Sequence, residues 1–146
     1  MGLGEQLKYG SVPYRWVGNT GFEVLMISSR KDPSRWIFPK GTIEPDEGPQ
    51  QVVLRETEEE AGVTGSVQER LHYETVGKQQ TMFLLQVHSH VENWLEERER
   101  SRRWMSVEEA FLVAKQMRES RPEIHDVLEA AVDVLDKKLT RQDTGG

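Results

Sequence analysis

Between Gly48 and Gly62 the chain carries Glu56, Glu59 and Glu60, at positions i, i+3 and i+4. On a helix, at about 100° per residue, Glu59 lies about 60° to one side of Glu56 and Glu60 about 40° to the other. Pro49 suits the first helical position and Gly62 the left-handed residue just past the end, so the stretch reads as one helix. Val53, Leu54, Thr57 and Ala61 form the arc expected to face a core, beside the carboxylates. Three like charges on one arc repel and weaken an isolated helix. The chain must therefore fold so that cations meet this arc. Hard oxygen donors at this spacing suit Mg²⁺ or Mn²⁺.

The rest of the sequence supplies strands and two more helices. Lys8 to Trp16 alternates loosely and ends at the turn cluster Gly18-Asn19-Thr20-Gly21, and Phe22 to Ile27 reads as the returning strand. Trp36-Ile37-Phe38 is a brief apolar run that Pro39 stops from continuing as a central strand. Gly65 to Thr75 and Lys78 to His88 read as a second hairpin around Val76-Gly77, and Arg102 to Met105 as a short strand. Residues 89–101 are polar and read as a surface loop. Ser106 with Glu109 is expected to form a capping box, and Ser120, Pro122 and Glu123 to start the last helix in the same way. Ile124, Val127, Leu128, Ala131, Leu135 and Leu139 give that helix one apolar stripe. This order fits α/β architecture, a mixed sheet covered by helices on both faces. One domain over residues 1–139 is expected, with a polar, disordered tail over 140–146.

Composition narrows the partners. The formal net charge is −6, which argues against a general nucleic-acid binder. No apolar run approaches membrane-spanning length, and the first residues lack the pattern of a signal peptide. There is no cysteine, which excludes thiolate metal sites, and a cytoplasmic protein is the default expectation. Acid collects in 44–60 and 92–99, whereas Arg30, Lys31, Arg35 and Lys40 form a basic stretch. An acidic, metal-binding helix flanked by basic loops suits a polyanionic small molecule.

The segment from Gly41 to Val63 resembles the signature of the Nudix hydrolases, G-x5-E-x7-R-E-U-x-E-E-x-G-U, where U is a bulky apolar residue. Gly41, Glu47, Arg55, Glu56, Glu59, Glu60, Gly62 and Val63 fill their slots without a gap, and Thr57 stands where the family prefers an aliphatic residue. The resemblance implies an α/β/α sandwich with a mixed sheet and metal-dependent hydrolysis of a diphosphate. It implies Glu59 and Glu60 as metal ligands, Glu56 as ligand or general base, and Arg55 as a partner of Glu47 that holds the loop on the helix. A further acidic ligand or base is to be sought among Glu92, Glu96, Glu97 and Glu99; a solvated loop is the simpler account of each.

Ser28-Ser29-Arg30, Trp36 to Gly41, Glu92-Asn93-Trp94 and Arg102-Arg103-Trp104 look like the branch that hydrolyses diphosphoinositol and diadenosine polyphosphates. Carried over, Ser28, Ser29, Arg30 and Lys40 are candidate contacts to substrate phosphates, with Arg15 and Arg103 as further ones. Thr42 departs from the glycine frequent in that branch. Trp36, Phe38 and Trp104 could stack on a base, but at strand positions the core reading is favoured. The four histidines show no ligand spacing. Competing readings are a hydrolase of another nucleoside diphosphate derivative and a non-catalytic Nudix module that senses a nucleotide.

Overall fold

The computed structural model describes residues 7–75 and 79–144. In chain order the elements are β1 (Lys8–Val17), β2 (Gly21–Ser28), β3 (Trp36–Ile37), β4 (Lys40–Thr42), α1 (Pro49–Ala61), β5 (Val63–Arg70), β6 (Gln80–His90), β7 (Arg102–Ser106), α2 (Val107–Gln116) and α3 (Pro122–Thr144). The strands form one mixed sheet in the order β3-β2-β1-β6-β5, with β4 added to β1 and β7 to β2. β1 runs parallel to β6 and antiparallel to β2 and β4. Along one edge its partners are β4 at residues 8–10 and β2 at 14–17. Pro13 falls in the interval between them, where its missing N–H costs that edge no ladder bond.

Alternation along β1 divides the molecule into layers. Ser11 points to α1, where its hydroxyl meets Thr57 Oγ1 at 2.7 Å. Val12 and Tyr14 point the other way, with Met82, Leu84, Val24 and Met26 in register beside them. There the stripe Ile124, Val127, Leu128, Ala131 and Leu135 of α3 is buried, and α2 packs on β7 and α3. Helices thus cover both faces. The Ser11–Thr57 bond also accounts for the polar residue at the aliphatic slot of the signature: each buried hydroxyl satisfies the other.

Several elements differ from expectation. On α1 the buried residues are Val52, Val53, Thr57, Glu60 and Ala61, whereas Leu54 is 37% exposed. The core arc is therefore rotated toward Glu60, which is itself buried. β5 stops at Arg70 and β6 starts at Gln80; Val76-Gly77 lies outside the described residues. Ser106 Oγ accepts from Glu109 N at 3.1 Å, but the Glu109 carboxylate pairs with Arg103 instead of closing the box. Ser120 donates back to Met117 O at 3.4 Å and does not cap α3. α3 continues to Thr144, so residues 140–144 are helical; Gly145 and Gly146 lie outside the described residues.

The buried hydroxyl pair sets a stability expectation. Thr57→Val leaves Ser11 without its partner and should cost about 1–2 kcal/mol. Adding Ser11→Ala should recover part of that loss in a double-mutant cycle read by urea unfolding.

Candidate active site

The glutamate face of α1 is bordered by two neighbours, the β4 loop and the segment 91–102. Gly41 lies so close to Glu56 that a methyl group there would stand 2.1 Å from the Glu56 carboxyl carbon. Any larger residue there would have to push the Glu56 carboxylate out of this position. Arg55 Nε donates to Glu47 Oε2 at 2.7 Å and Nη2 to Glu47 Oε1 at 2.9 Å, a two-pronged pair, and Nη2 also reaches Thr42 O at 3.2 Å. The expected clamp between loop and helix is present. The departure at Thr42 does not disturb it, because Arg55 uses the carbonyl. The Arg55 guanidinium holds the Glu47 carboxyl down to about 2 from an ordinary 4.5. A depressed carboxyl pKa stabilises the fold above its unfolded value, so the clamp holds at neutral pH and is lost as pH falls toward 2.

Arg55 Nη1 also lies 2.8 Å from Glu56 Oε1, 3.5 Å from Glu59 Oε2 and 3.6 Å from Glu44 Oε1. Glu60, on the buried side, receives Lys40 N at 3.4 Å and Arg100 Nη2 at 3.5 Å. Burial, then a hydrogen bond with the Glu56 carboxyl, raises the Glu60 pKa well above the usual carboxylate range. Burial and the neighbouring Glu56 charge raise Glu59 as well. Carboxyls in contact cannot all stay ionised without added positive charge.

Among the described residues no group of three acids stands ready to hold a metal ion: Glu44, Glu56 and Glu59 meet around Arg55 Nη1, while Glu60 faces Arg100. The donor set is nevertheless all carboxylate oxygen, crowded, and short of charge, which fits a hard divalent cation.

A model of the NUDIX domain matches residues 15–128. The chain belongs to the NUDIX domain family. It is 41% identical over 111 residues to "Nudix hydrolase 21, chloroplastic" of Arabidopsis thaliana, covering 70% of this chain and 56% of that one. It is 37% identical over 103 residues to diphosphoinositol polyphosphate phosphohydrolase 3-alpha of Mus musculus, covering 62% of this chain and 59% of the relative. The match thus spans little more than half the length of these relatives. The fold matches a C. elegans Ap4A hydrolase binary complex with a TM-score of 0.64 and 25% identity, over 90% of this chain and 98% of that chain.

In this Nudix domain the carried-over positions separate. Lys40 meets the cluster through its backbone N–H, on Glu60, while its Nζ donates to Gln80 Oε1 at 2.9 Å. Ser28 and Ser29 are buried: Ser28 Oγ accepts from Ser101 N at 2.8 Å, and Ser29 N donates to Arg35 O. Arg30 is exposed and pairs with Glu99 and Glu96. Arg15 pairs with Glu23 and lies 4.2 Å above the Trp104 ring, which also donates to His90. Arg103 points to the opposite face of the sheet, where it pairs with Glu109 of α2; it is not brought to the glutamates. Phe38 is core, while Trp36 and Trp104 are half-buried against it.

Of the four loop glutamates, Glu96 comes to the helix. Its N–H donates to Glu59 O at 3.0 Å, and its carboxylate pairs with Arg100 at 2.7 Å. Glu99 serves Arg30, and Glu92 and Glu97 are exposed.

The reading from sequence missed how this segment ends α1. Val91 N donates to Gly62 O, and Arg102 Nη1 donates to Ala61 O and Gly62 O at 3.1 and 2.8 Å. Arg102 also lies 4.0 Å over the Trp94 ring. Gly62, at φ +66°, sits beneath both, and a Cβ there would meet each at 2.5 Å. The only sequence signal was the density of Arg and Trp in 94–104.

Gly62→Ala should therefore cost at least about 1–2 kcal/mol from backbone conformation alone. The expected readout is a lower melting temperature together with faster hydrogen exchange over residues 91–101. A melting point equal to the wild type's would disprove the packing described.

Proposed function

We propose that this chain hydrolyses a diphosphate linkage in a polyphosphorylated small molecule, using a divalent metal ion, Mg²⁺ or Mn²⁺. The observation that carries the reading is the complete carboxylate set: Glu56, Glu59 and Glu60 on one helix face, backed by the Arg55–Glu47 clamp. These three glutamates would hold the ion, which supplies neutralisation of phosphoryl oxygens and a lowered pKa for water. Water adds to phosphorus, the bridging P–O bond breaks, the departing phosphate leaves with the bond's electron pair, and a carboxylate of the cluster takes the water's proton.

Diphosphoinositol polyphosphates and diadenosine polyphosphates are the proposed substrates. Supporting this are the relative named as a diphosphoinositol polyphosphate phosphohydrolase, the fold shared with an Ap4A hydrolase, and the cations beside the cluster. Lys40 is the proposed phosphate contact of best position, with Arg30 beyond it. Ser28, with its hydroxyl committed to Ser101, is better read as a support. Among the described residues no helix is long and apolar enough to cross a membrane, and a cysteine-free chain suits the reducing cytoplasm.

The test is a substrate panel in ¹⁸O water with Mg²⁺, run on the wild type and Glu60→Gln. It holds a diphosphoinositol polyphosphate, diadenosine polyphosphates, a nucleotide sugar and nucleoside triphosphates. Turnover of the first two classes is expected, with Glu60→Gln folded and at least about 100-fold slower. Preference for a nucleotide sugar would displace the substrate assignment, and no turnover would favour a sensing module.

The raised pKa of Glu60 gives a second expectation. A carboxyl raised in the folded state destabilises it as pH climbs above 4.5 toward the raised value, and a bound cation removes that penalty. The rise in melting temperature on adding Mg²⁺ should thus be larger at pH 8 than at pH 5.5. An equal shift at both would separate Glu60 from metal binding.

A further inference from the structure

Arg100 joins three segments that are distant in sequence. Its side chain is 8% exposed. Nε donates to Glu96 Oε1 at 2.7 Å in the loop, Nη1 to Ser28 O at 3.0 Å at the end of β2, and Nη2 lies 3.5 Å from Glu60 Oε1 on α1. Its own backbone is anchored next door: Ser28 N donates to Ser101 O at 2.9 Å, and Ser101 N donates to Ser28 Oγ at 2.8 Å. The guanidinium therefore starts from a fixed root and ends on three oxygens in three directions.

We infer that Arg100 is a positioning residue for the glutamate cluster, fixing the Glu60 carboxylate relative to β2 and holding Glu96 on the catalytic helix. Glu60 Oε1 is then gripped from two sides, by Lys40 N of β4 and by Arg100. A planar fork of five N–H donors suits this task, whereas an ammonium group is a point charge on a flexible stem. A role as mere counter-charge to the buried Glu60 and the half-buried Glu96 would be met by lysine. A role in gripping substrate would require exposure that Arg100 lacks. Ser28 takes its place in the same device, as the anchor of the Arg100 root.

The kinetic part of the test rests on the hydrolase reading; the metal-binding part does not. Arg100→Lys keeps the charge and loses the fork, and Arg100→Gln loses the charge. Each is compared with the wild type by circular dichroism, by Mn²⁺ binding followed through the electron paramagnetic resonance of free Mn²⁺, and by kcat and KM on diadenosine tetraphosphate and a diphosphoinositol polyphosphate with Mg²⁺. Both variants are expected to fold, to lose roughly 10- to 100-fold in kcat and a similar factor in Mn²⁺ affinity, and to keep KM within about twofold. Wild-type kcat and Mn²⁺ affinity in Arg100→Lys would reduce Arg100 to a counter-charge and overturn the assignment. A raised KM with kcat intact would make it a substrate contact and overturn it too. If the wild type turns over neither substrate, it is the hydrolase reading that fails, and the Mn²⁺ affinities of the variants decide for or against Arg100.

Discussion

A carboxylate moved out of water must find positive charge or a proton, and Glu60 is buried against the sheet in contact with a second carboxyl. Much of the local architecture answers that demand. β4 offers Lys40 N–H, β2 and the 91–101 segment bring Arg100, and Glu56 shares the site under Gly41. Arg55 stands on the outer side, bound to Glu47, Glu56 and the Thr42 carbonyl. The cluster is thus held between two arginines, one inside and one outside. An ion that entered it would add the positive charge that these crowded carboxyls lack.

The same segment that brings Arg100 also finishes α1. The last carbonyls of a helix need donors, and here they come from residues 91–102: Glu96 N on Glu59 O, Val91 N on Gly62 O, and Arg102 on Ala61 O and Gly62 O. Trp94 and Arg102 press against the bare α-carbon of Gly62. A polar, glutamate-rich stretch consequently behaves as part of the scaffold. The carboxylates project from a helix tied at its middle to the preceding loop by Arg55–Glu47 and held at its C-terminal end by this segment. Rigid support of this kind is what placement of a metal and a phosphate requires.

What could be read along the chain was what depends on near neighbours. The helix from Pro49 to Ala61, the left-handed Gly62, the hairpin at residues 18–21, the Ser106 cap and the stripe of α3 follow from periodicity and from the special backbone of Gly and Pro. The misreadings arise where a distant partner competes. Leu54 has the right spacing for the core, but Val52 and Glu60 take the buried arc because the sheet and Arg100 lie on that side. Glu109 has the capping-box spacing, but Arg103 across the turn offers a charge. Arg103 looked like a phosphate contact beside Arg102, yet alternation on β7 sends neighbours to opposite faces: Arg102 to the end of α1, Arg103 to α2. Thr140 to Thr144 has no apolar pattern of its own and is helical as a continuation of α3.

The spacing of the glutamates, the Gly41 and Gly62 that bracket them, and the oxygen-only donor set are properties of the sequence, because they rest on chemistry and local geometry. From them came the family, the layered fold and the class of chemistry. Which glutamate is buried, which loop acid reaches the helix, and which basic residues face the cluster belong to the tertiary structure alone. They depend on the register of β7 against β2 and on how residues 91–101 cross the end of α1. Residues 28, 60, 96 and 100 meet at one point only after the sheet has formed, and no local pattern in the chain encodes that meeting.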